Sequence, residues 1–415
     1  MNRKRDFFYI TLADFIVRSA YQMGKTPLLP LFAASLGATG AFLGLIVSVS
    51  TVTGLLLKPL FGILSDRWGR RAWLIIGTCF FAGVPFLYRF VHTPEQLFAI
   101  RLLHGLSTAI YGPVTLAYIA TRSRNRIAED VGWFEMARSG GYIVGPALAG
   151  WLLLSMPPAA VFTIIGLVSA LAFVPVLLLE DIDVQKKILT RSTRSNDFSR
   201  SGPIESPKEP PALQKQLIEA LKAGAQVPAI WLSGGLKAAS FVALYINKAF
   251  LPLYANSVGL NALQIGLFFS VQEGAHILLK AFGGRLGDKI GHLLAIALGM
   301  GLLSISLPLL TLFNGTWDLL LLALLMGAAE ALIFPSAVAL VSNQVDKEHL
   351  GAAMGLTGMM DNLGKVIGPV LGGLFIARLG FAPTYYIIAA LLLLSTLLLL
   401  TLAQKARLRH PLKSE

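Results

Sequence analysis

Charged side chains recur at helical spacing inside one of the long apolar stretches of this sequence. Positions i, i+4, i+7 and i+11 of one helical face are occupied by Asp14, Arg18, Tyr21 and Lys25. A charge within a lipid bilayer costs several kcal/mol unless it has a partner or faces water. We therefore predict that this face borders a polar cavity, where these side chains can bind a charged solute or carry a proton. The alternative is a structural ion pair, such as Asp14 with Arg18 one turn later.

Three other apolar stretches carry similar groups. They contain a stripe of Arg101, His104 and Tyr111 with Thr108 and Thr115, a pair eleven residues apart, Lys237 and Lys248, and a single carboxylate, Glu330. A proton carrier must be a carboxylate or histidine that gains and loses its proton as its surroundings change. Asp14 and Glu330 are the favoured candidates for this role, and His104 and Glu135 are the others.

The overall composition excludes a water-soluble enzyme. Of the 415 residues, 55% are hydrophobic and 14% are charged, whereas soluble domains carry about 25% charged residues. The apolar content also excludes disorder, and one cysteine, Cys79, cannot form an internal disulfide or a cysteine metal cluster. A net charge of +13 would suggest nucleic acid binding in a soluble protein. In this apolar chain it reflects membrane topology instead, and we expect no nucleic acid partner.

Twelve apolar stretches are long enough to cross a bilayer as helices, which takes about 20 residues each. They lie near 7–33, 41–64, 72–91, 96–120, 129–154, 159–179, 228–255, 262–286, 293–313, 318–342, 350–376 and 382–403. Barrel strands would alternate apolar and polar residues over segments of about ten residues, and these runs are continuously apolar. We predict an all-α membrane protein with twelve transmembrane helices, numbered 1–12 in this order.

Lys and Arg residues of the connections predict the orientation. They are concentrated at both ends of the chain and after helices 2, 4 and 6, while the opposite connections carry almost none apart from Arg378. Because basic connections stay in the cytoplasm, both termini should be cytoplasmic. We expect a multi-pass protein of the plasma (inner) membrane, with an uncleaved first helix.

An internal duplication divides the chain. A shift of 222 positions aligns residues 29–69 with 251–291 without a gap and gives 17 identities in 41. Further on, an offset of 223 aligns Gly145-Pro146 with Gly368-Pro369. Shared apolar composition does not align prolines, glycines, lysines and aspartates, so the halves are predicted to be repeats.

The repeats predict the domain organisation. Residues 1–180 and 227–415 should form two pseudo-symmetric six-helix bundles, joined by a basic cytoplasmic linker at 181–226. Transporters are commonly built in this way, with the substrate site near the bilayer midplane between the repeats.

The stretch between helices 2 and 3, from Gly62 to Arg71, combines glycines, Asp66 and basic residues, and the stretch from Gly284 to Gly291 is a second copy of it. On this motif, and on those of helices 4 and 5 below, the chain resembles the major facilitator superfamily over essentially its whole length. The stretch looks like the signature loop of that family, which implies gating roles for Gly62, Asp66, Arg67, Gly69 and Arg70, and for Gly284, Asp288, Lys289 and Gly291. His292 replaces a second basic residue of the motif. The resemblance implies that the loop latches the halves on the cytoplasmic side and releases during transport. Asp66 is expected near the positive start of helix 3.

Two further motifs strengthen the resemblance. Helix 4 carries Arg101 and His104-Gly105, with His104 in place of the common Gln, and helix 5 resembles an antiporter motif, with Ala149 in place of the usual Gly. Small residues let helices pack closely, and the packing positions are Gly141, Gly145 and Pro146 with their repeats Gly364, Gly368 and Pro369. The antiporter meaning of the motif comes from the resemblance alone.

The resemblance also implies where the charged helices lie. Helices 1, 4, 7 and 10 line the central cavity in the family, and helices 2, 5, 8 and 11 meet at the interface between the halves. The interface helices carry Lys58, Arg138, Glu273 and Asp361, together with His276, Lys280 and Lys365. We hypothesise that Lys58 pairs with Asp361, and Arg138 with Glu273, in one conformational state.

Together these features predict a secondary transporter that works by alternating access, closest to the drug/proton antiporter branch, and not an enzyme. The expected activity is proton-coupled efflux of a drug-like, amphiphilic or anionic compound. The alternatives are a proton-coupled symporter importing an organic anion and a flippase for a lipid-like amphiphile. The partners should be a small-molecule substrate, protons and membrane lipids, and we expect a monomer without cofactor or metal.

Overall fold

The computed structural model describes residues 3–122, 126–180, 226–312, 315–346 and 349–409, and within these ranges it contains helices and no strand. The predicted linker therefore lies outside the described residues, except for residue 226. Helices 1–6 are Arg3–Lys25 with Leu28–Ser35, Gly40–Trp68, Arg70–Leu87, Pro94–Arg122, Ile127–Leu152, and Pro158–Ala170 with Phe173–Leu177. Helices 7–12 are Pro228–Ser257, Ala262–Ile290, His292–Leu309, Thr316–Ser342, Leu350–Leu379 and Phe381–Arg409. The predicted all-α fold of twelve transmembrane helices is confirmed.

Ten of these helices are long and apolar enough to cross a membrane on length and composition alone, as far as the chain is described. Helices 1 and 5 are not among the ten. Each carries intramembrane charges that lower its hydropathy, Asp14 and Arg18 in helix 1 and Glu135 and Arg138 in helix 5. Those charges meet one another in the fold, as described below.

Helix 1 is interrupted between Lys25 and Leu28. Pro27 has no backbone N–H to donate and cannot continue the helical hydrogen bonding. The break places Lys25 at the end of the first segment, and both Lys25 and Thr26 line the cavity described below.

The twelve helices pack as two similar groups. Helix 1 packs on helices 5 and 6, helix 2 on helix 4, and helix 3 on helices 4 and 6. In the second half, helix 7 packs on helix 11, helix 8 on helix 10, and helix 9 on helices 10 and 12. Between the halves, helix 2 packs on helix 11 and helix 5 packs on helix 8. Twelve alternating helices bring residues 3 and 409 to one face, called the terminal face; the opposite one is the far face.

Glycines close the seam between the halves near the far face. Gly44, in the second turn of helix 2, lies so close to helix 11 that an added Cβ would overlap the Pro369 carbonyl. Gly266, in the corresponding turn of helix 8, lies in the same way against the Pro146 carbonyl of helix 5. The amide N–H of Ala147 also donates to Ser270 Oγ at 3.0 Å across this seam. The halves are therefore in contact at the far face through two repeat-related pairs of helices.

Within each half, glycines let the interface helices press against helices 1 and 7. A Cβ at Gly141 would lie 2.9 Å from Ser19 N, and one at Gly145 would lie 2.7 Å from Gln22 Cβ. In the second half, a Cβ at Gly368 would lie 2.6 Å from the Val242 carbonyl oxygen. The close helix packing expected from these small residues is what the structure contains.

The signature segment turns at a single residue rather than in a loop. Helix 2 continues to Trp68 and helix 3 begins at Arg70, so Gly69 alone makes the turn, with φ 97° and ψ 130°. Its repeat Gly291 has φ 98° and ψ 137°. A positive φ favours glycine. Asp66 thus lies in the last turn of helix 2, which corrects its expected position at the start of helix 3.

Candidate functional site

A cavity between the halves opens toward the terminal face. Its wider part has a volume of about 1000 Å³ and reaches the terminal-side turns of three helices at Leu116, Gly132 and Ala281. A smaller part of about 140 Å³ lies deeper and forms the apex of the cavity. The two parts share the lining residues Arg18, Lys58, Thr108, Tyr142 and Glu273. Because the seam is closed at the far face, the cavity is accessible from one side.

Positive charge dominates the wall of this cavity. Among the described residues its Lys and Arg side chains are Arg18, Lys25, Lys58, Arg138, Lys248, Lys280 and Lys365, and its carboxylates are Glu135 and Glu273. Cations without nearby carboxylates are costly in a region of low dielectric constant. The cavity is therefore suited to a negatively charged solute.

Both carboxylates of the wall are already engaged. Glu273 Oε1 lies 2.7 Å from Lys248 Nζ, and Glu135 Oε1 lies 2.7 Å from an Arg138 nitrogen. Arg138 also binds the fully buried Asp14 through two hydrogen bonds of 2.8 and 3.0 Å. Arg18 lies 3.7 Å from the same carboxylate. These ion pairs leave little acidic charge free to balance the other cations.

Four cavity lysines have no carboxylate within 4.0 Å in the described part of the chain: Lys25, Lys58, Lys280 and Lys365. Lys25 Nζ lies 5.1 Å from the centre of the Tyr245 ring, and Lys365 Nζ lies 4.2 Å from that of Phe241. Contacts of a cation with an aromatic face are weaker than an ion pair. Lys58, for its part, is exposed to the cavity.

A second acidic group lies behind the wall, linked to it by a histidine. His276 Nδ1 is 3.8 Å from Glu273 and 3.8 Å from Glu330. Glu330 is 3% exposed, and its other oxygen accepts a 2.6 Å hydrogen bond from Gln272. Neither Lys nor Arg lies within 4.0 Å of Glu330 among the residues described. A carboxylate in such surroundings can be protonated without breaking an ion pair with Lys or Arg.

Arg101 is fully buried inside the first half and bonds to neutral groups. Its Nη2 donates to Ser50 Oγ at 2.6 Å, and Ser50 Oγ lies 3.2 Å from the Tyr21 hydroxyl. The neighbouring His104 shares a 2.9 Å hydrogen bond with Tyr88. Since Tyr21 and Ser50 also line the cavity apex, this network lies directly behind the apex wall.

Sequence comparison agrees with this architecture. The profile of the Major Facilitator Superfamily matches residues 15–271 and 235–415. The chain belongs to the major facilitator superfamily. It is therefore a multi-pass membrane transporter of small molecules rather than an enzyme.

Relatives from this superfamily span nearly the whole chain. Multidrug resistance protein MdtG of Escherichia fergusonii is 27% identical over 403 residues, which are 95% of this chain and 93% of the relative. The multi-drug resistance efflux pump PmrA homolog of Lactococcus lactis is 25% identical over 388 residues, 90% of this chain and 88% of the relative. Both are similar in sequence to this chain over at least 90% of its length.

Solved structures of other major facilitators share the fold. A D323A mutant of the nucleoside transporter NupG superposes with a TM-score of 0.75 at 16% identity, covering 96% of this chain and 99% of NupG. A POT family transporter in complex with 5-aminolevulinic acid gives 0.72 at 13% identity, covering 97% and 96%. At such identities the likeness concerns the fold alone.

Four of the predicted cavity residues of this major facilitator line the cavity: Arg18, Tyr21, Lys25 and Lys248. Six do not line it and are packed inside a half: Asp14, Arg101, His104, Tyr111, Lys237 and Glu330. On helix 4, Thr108 of the predicted stripe and Gly112 line the cavity, whereas Arg101, His104 and Tyr111 do not. Spacing along a helix identifies one face, but the packing of neighbouring helices determines which face meets the cavity.

Neither hypothesised cross-half ion pair is formed in this conformation. Asp361 binds Lys237 of its own half at 2.7 Å rather than Lys58. Arg138 binds Asp14 and Glu135, and Glu273 binds Lys248. With the terminal side of the cavity open, Asp361, Arg138 and Glu273 each take a partner within their own half. Lys58 has no carboxylate within 4.0 Å among the described residues.

The signature turns also find their ion-pair partners locally. Asp66 Oδ1 accepts a 2.8 Å charge-assisted hydrogen bond from Arg70 Nη2, four residues away. Arg70 additionally donates to the Ala117 carbonyl and the Thr121 hydroxyl of helix 4. In the repeat, Asp288 lies 3.9 Å from His292. The contacts of Arg70 connect helices 2, 3 and 4 on the terminal face. The Asp288–His292 contact connects helices 8 and 9 in the second half.

The polar residues of the apex that were not predicted from the sequence include Tyr142, Tyr245 and Asn362. Tyr142 follows Arg138 by four residues, and Tyr245 precedes Lys248 by three. Each therefore shares a helical face with a cation that the sequence analysis did identify. Extending the charged stripes to neighbouring aromatic residues would have found both tyrosines.

Proposed function

We propose that this major facilitator exports a drug-like amphiphile by alternating access. The observation that carries the proposal is a cavity between the repeats, open toward the terminal face and closed by the glycine seam at the far face. Substrate would enter from the open side, and the halves would then rock about the apex to expose it on the other side. The names of the relatives, a multidrug resistance protein and a multidrug efflux pump, support export.

The terminal face is proposed to be cytoplasmic and the membrane to be the plasma membrane. Lys and Arg are concentrated at the chain ends and in the connections of that face, which supports the assignment because basic connections remain in the cytoplasm. In this orientation the open cavity receives substrate from the cytoplasm or from the inner leaflet.

Each half is proposed to move as a rigid unit, with residues 1–180 and 227–415 as the two bundles. The Asp14–Arg138 pair joins helices 1 and 5, and the Lys237–Asp361 pair joins helices 7 and 11. Both pairs lie between helices that also touch through glycines. The glycine contacts, which do not depend on the ion pairs, support motion of whole bundles rather than of single helices.

Proton coupling is proposed to act through Glu330 and His276. Asp14, the other favoured candidate, holds Arg138 through both oxygens, so its protonation would break a buried bidentate ion pair. Glu330 has only His276 as a basic neighbour within 4.0 Å in the described chain, and His276 bridges it to Glu273 on the cavity wall. A proton could thus reach Glu330 from the cavity by a short path.

The alternative function is import of an organic anion by a proton symporter, or flipping of an anionic lipid-like amphiphile. The excess of cations on the cavity wall favours an anionic substrate for either direction.

Inside-out vesicles containing the protein distinguish the directions. With an acidic interior, they should accumulate rhodamine 6G or 8-anilinonaphthalene-1-sulfonate above the level of vesicles without it. Accumulation only in right-side-out vesicles with an inward proton gradient would contradict export.

A further inference from the structure

We propose that the cavity apex binds the anionic head of an organic anion, with the apolar part of the same molecule lying in the wider cavity. This inference deepens the proposed function and rests on it, since it assumes that the cavity is the transport site. The chemical class is a single-chain or drug-sized amphiphile bearing a carboxylate, sulfonate or phosphate.

The positive charge of the apex supports an anionic ligand. Four cavity lysines have no carboxylate within 4.0 Å among the described residues, and three of them, Lys25, Lys58 and Lys365, line the apex. The fourth, Lys280, lines the wider part of the cavity. Among the described residues the apex has one carboxylate, Glu273, which Lys248 already holds at 2.7 Å. A bound anion would supply the missing counterion to these three ammonium groups. Charge-assisted hydrogen bonds of this kind are about twice as strong as neutral ones.

The apex lysines come from both halves of the protein. Lys25 and Lys58 belong to helices 1 and 2, and Lys365 belongs to helix 11. Lys25 and Lys248 approach the same Tyr245 ring, with Nζ atoms 5.1 and 5.3 Å from its centre. An anion placed there touches both repeats at once, at the point where far-face closure ends and the cavity begins.

The size and polarity of the cavity support the same ligand class. The apex volume of about 140 Å³ holds a small head group rather than a whole drug. The adjoining volume of about 1000 Å³ is in the upper range of drug-sized sites. Its wall includes Leu116, Met136 and Ile277, which can contact an apolar body. The site therefore divides into a cationic end and a partly apolar end, as an anionic amphiphile requires.

Binding of matched single-chain amphiphiles tests this assignment. The full chain in phosphatidylcholine nanodiscs should bind radiolabelled dodecyl phosphate, and raised salt should weaken that binding. Dodecyltrimethylammonium, with the same tail, should compete at least about tenfold less well. Inorganic phosphate should compete only weakly because it lacks the tail. Equal or tighter binding of the quaternary ammonium compound would overturn the proposal.

Variants of the apex lysines connect this binding to the site. The double variant Lys58→Gln/Lys365→Gln should weaken dodecyl phosphate binding by about tenfold or more, while Lys58→Arg/Lys365→Arg, which keeps the charge, should retain it. Arg89→Gln serves as the matched loss of a cation, because Arg89 lies in a separate cavity near the far face. Thermal unfolding of each variant identifies loss of folding. Unchanged affinity in the folded glutamine variant would overturn the proposal.

Two further experiments distinguish a membrane lipid from a free anion as the ligand, and failure of this binding site from failure of the proposed function. Nanodiscs containing phosphatidylglycerol should leave dodecyl phosphate bound; complete displacement would assign the site to a membrane lipid and overturn our assignment. Lysine-dependent binding of dodecyl phosphate without transport of any compound would support this site and contradict the proposed function. Transport of neutral or cationic drugs that is insensitive to the lysine variants would retain the proposed function and overturn the anion site.

Discussion

Arg138 on helix 5 binds Asp14 on helix 1, and the same pair recurs in the second half with its charges exchanged. There, Asp361 on helix 11 binds Lys237 on helix 7, and both pairs are 124 residues apart in the chain. Asp361 follows Arg138 by 223 positions, the offset that also aligns Pro146 with Pro369. The repeats have thus kept an ion pair at one position of the fold while exchanging which helix carries which sign.

Removal of Arg138 should destabilise the protein strongly. Arg138→Ala leaves Asp14 buried with only Arg18 at 3.7 Å, and breaking a buried pair costs about 3–5 kcal/mol. The expected result is a clear fall in the unfolding temperature in detergent. Arg126→Ala, which removes an exposed pair with Glu129, should cost less than about 1 kcal/mol.

Exchanging the charges should recover part of this loss. The second half shows that a cation on the first helix and a carboxylate on the fifth can occupy this position. Asp14→Arg combined with Arg138→Asp should therefore unfold at a higher temperature than Arg138→Ala. If the double variant is as unstable as the single one, the two positions are not equivalent in polarity.

A larger residue in the far-face seam should shift the conformational equilibrium. Gly44→Val and Gly266→Val each place side-chain atoms against a proline carbonyl of the opposite half, so far-face closure should be lost. Far-face labelling of a cavity cysteine is the measurement, and we expect it to rise severalfold. Gly274→Val is the matched control, because a Cβ there has no neighbour within 4 Å. Equal labelling in all three variants would contradict closure at these glycines.

Glu330→Gln should uncouple transport from protons. Without an ionisable group at this position, accumulation driven by a pH gradient should disappear, while exchange of labelled for unlabelled substrate should persist. Asp14→Asn should instead lower stability, because it removes the charge that Arg138 binds. Loss of both activities in a folded Glu330→Gln variant, or of neither, would reject Glu330 as the proton carrier.

When the terminal side closes, we predict that the cross-half pairs Lys58–Asp361 and Arg138–Glu273 form. Asp361 would leave Lys237 and Arg138 would leave Asp14, so each pair would exchange an intrahalf partner for one across the seam. Lys58→Asp and Asp361→Lys should each reduce transport by at least about tenfold, and their combination should restore it. Absence of rescue in a correctly folded double variant would count against this exchange.

The fold could be predicted almost completely from the sequence, because it follows from local and repeated signals. Continuous apolar runs defined the twelve helices, and the repeat defined their pairing into two groups. The exceptions were the interruption of helix 1 at Pro27 and the one-residue turn at Gly69. Helix 2 continues for another turn through Asp66, whose carboxylate binds Arg70, so charged residues that ended the apolar run did not end the helix.

The site could be predicted only in part, because it depends on helix rotation and on competition among charges. The structure places the predicted residues Arg18, Lys25 and Lys248 on the cavity wall. It places Arg101 inside the half, where Ser50 accepts its hydrogen bond. Likewise, the pairing of Arg138 with Asp14 could not be read from either helix alone, since it depends on where helices 1 and 5 cross.

The most direct test of alternating access is the labelling of one uncharged cavity position from each side of the membrane. Thr108 lines both parts of the cavity, and Thr108→Cys can be made in a Cys79→Ser background. A membrane-impermeant maleimide should label it from the terminal face alone at rest, and from the far face once substrate and a proton gradient are present. Ser107→Cys, at a fully buried neighbour, should stay unlabelled. Labelling of Thr108→Cys from one face only under every condition would contradict the account.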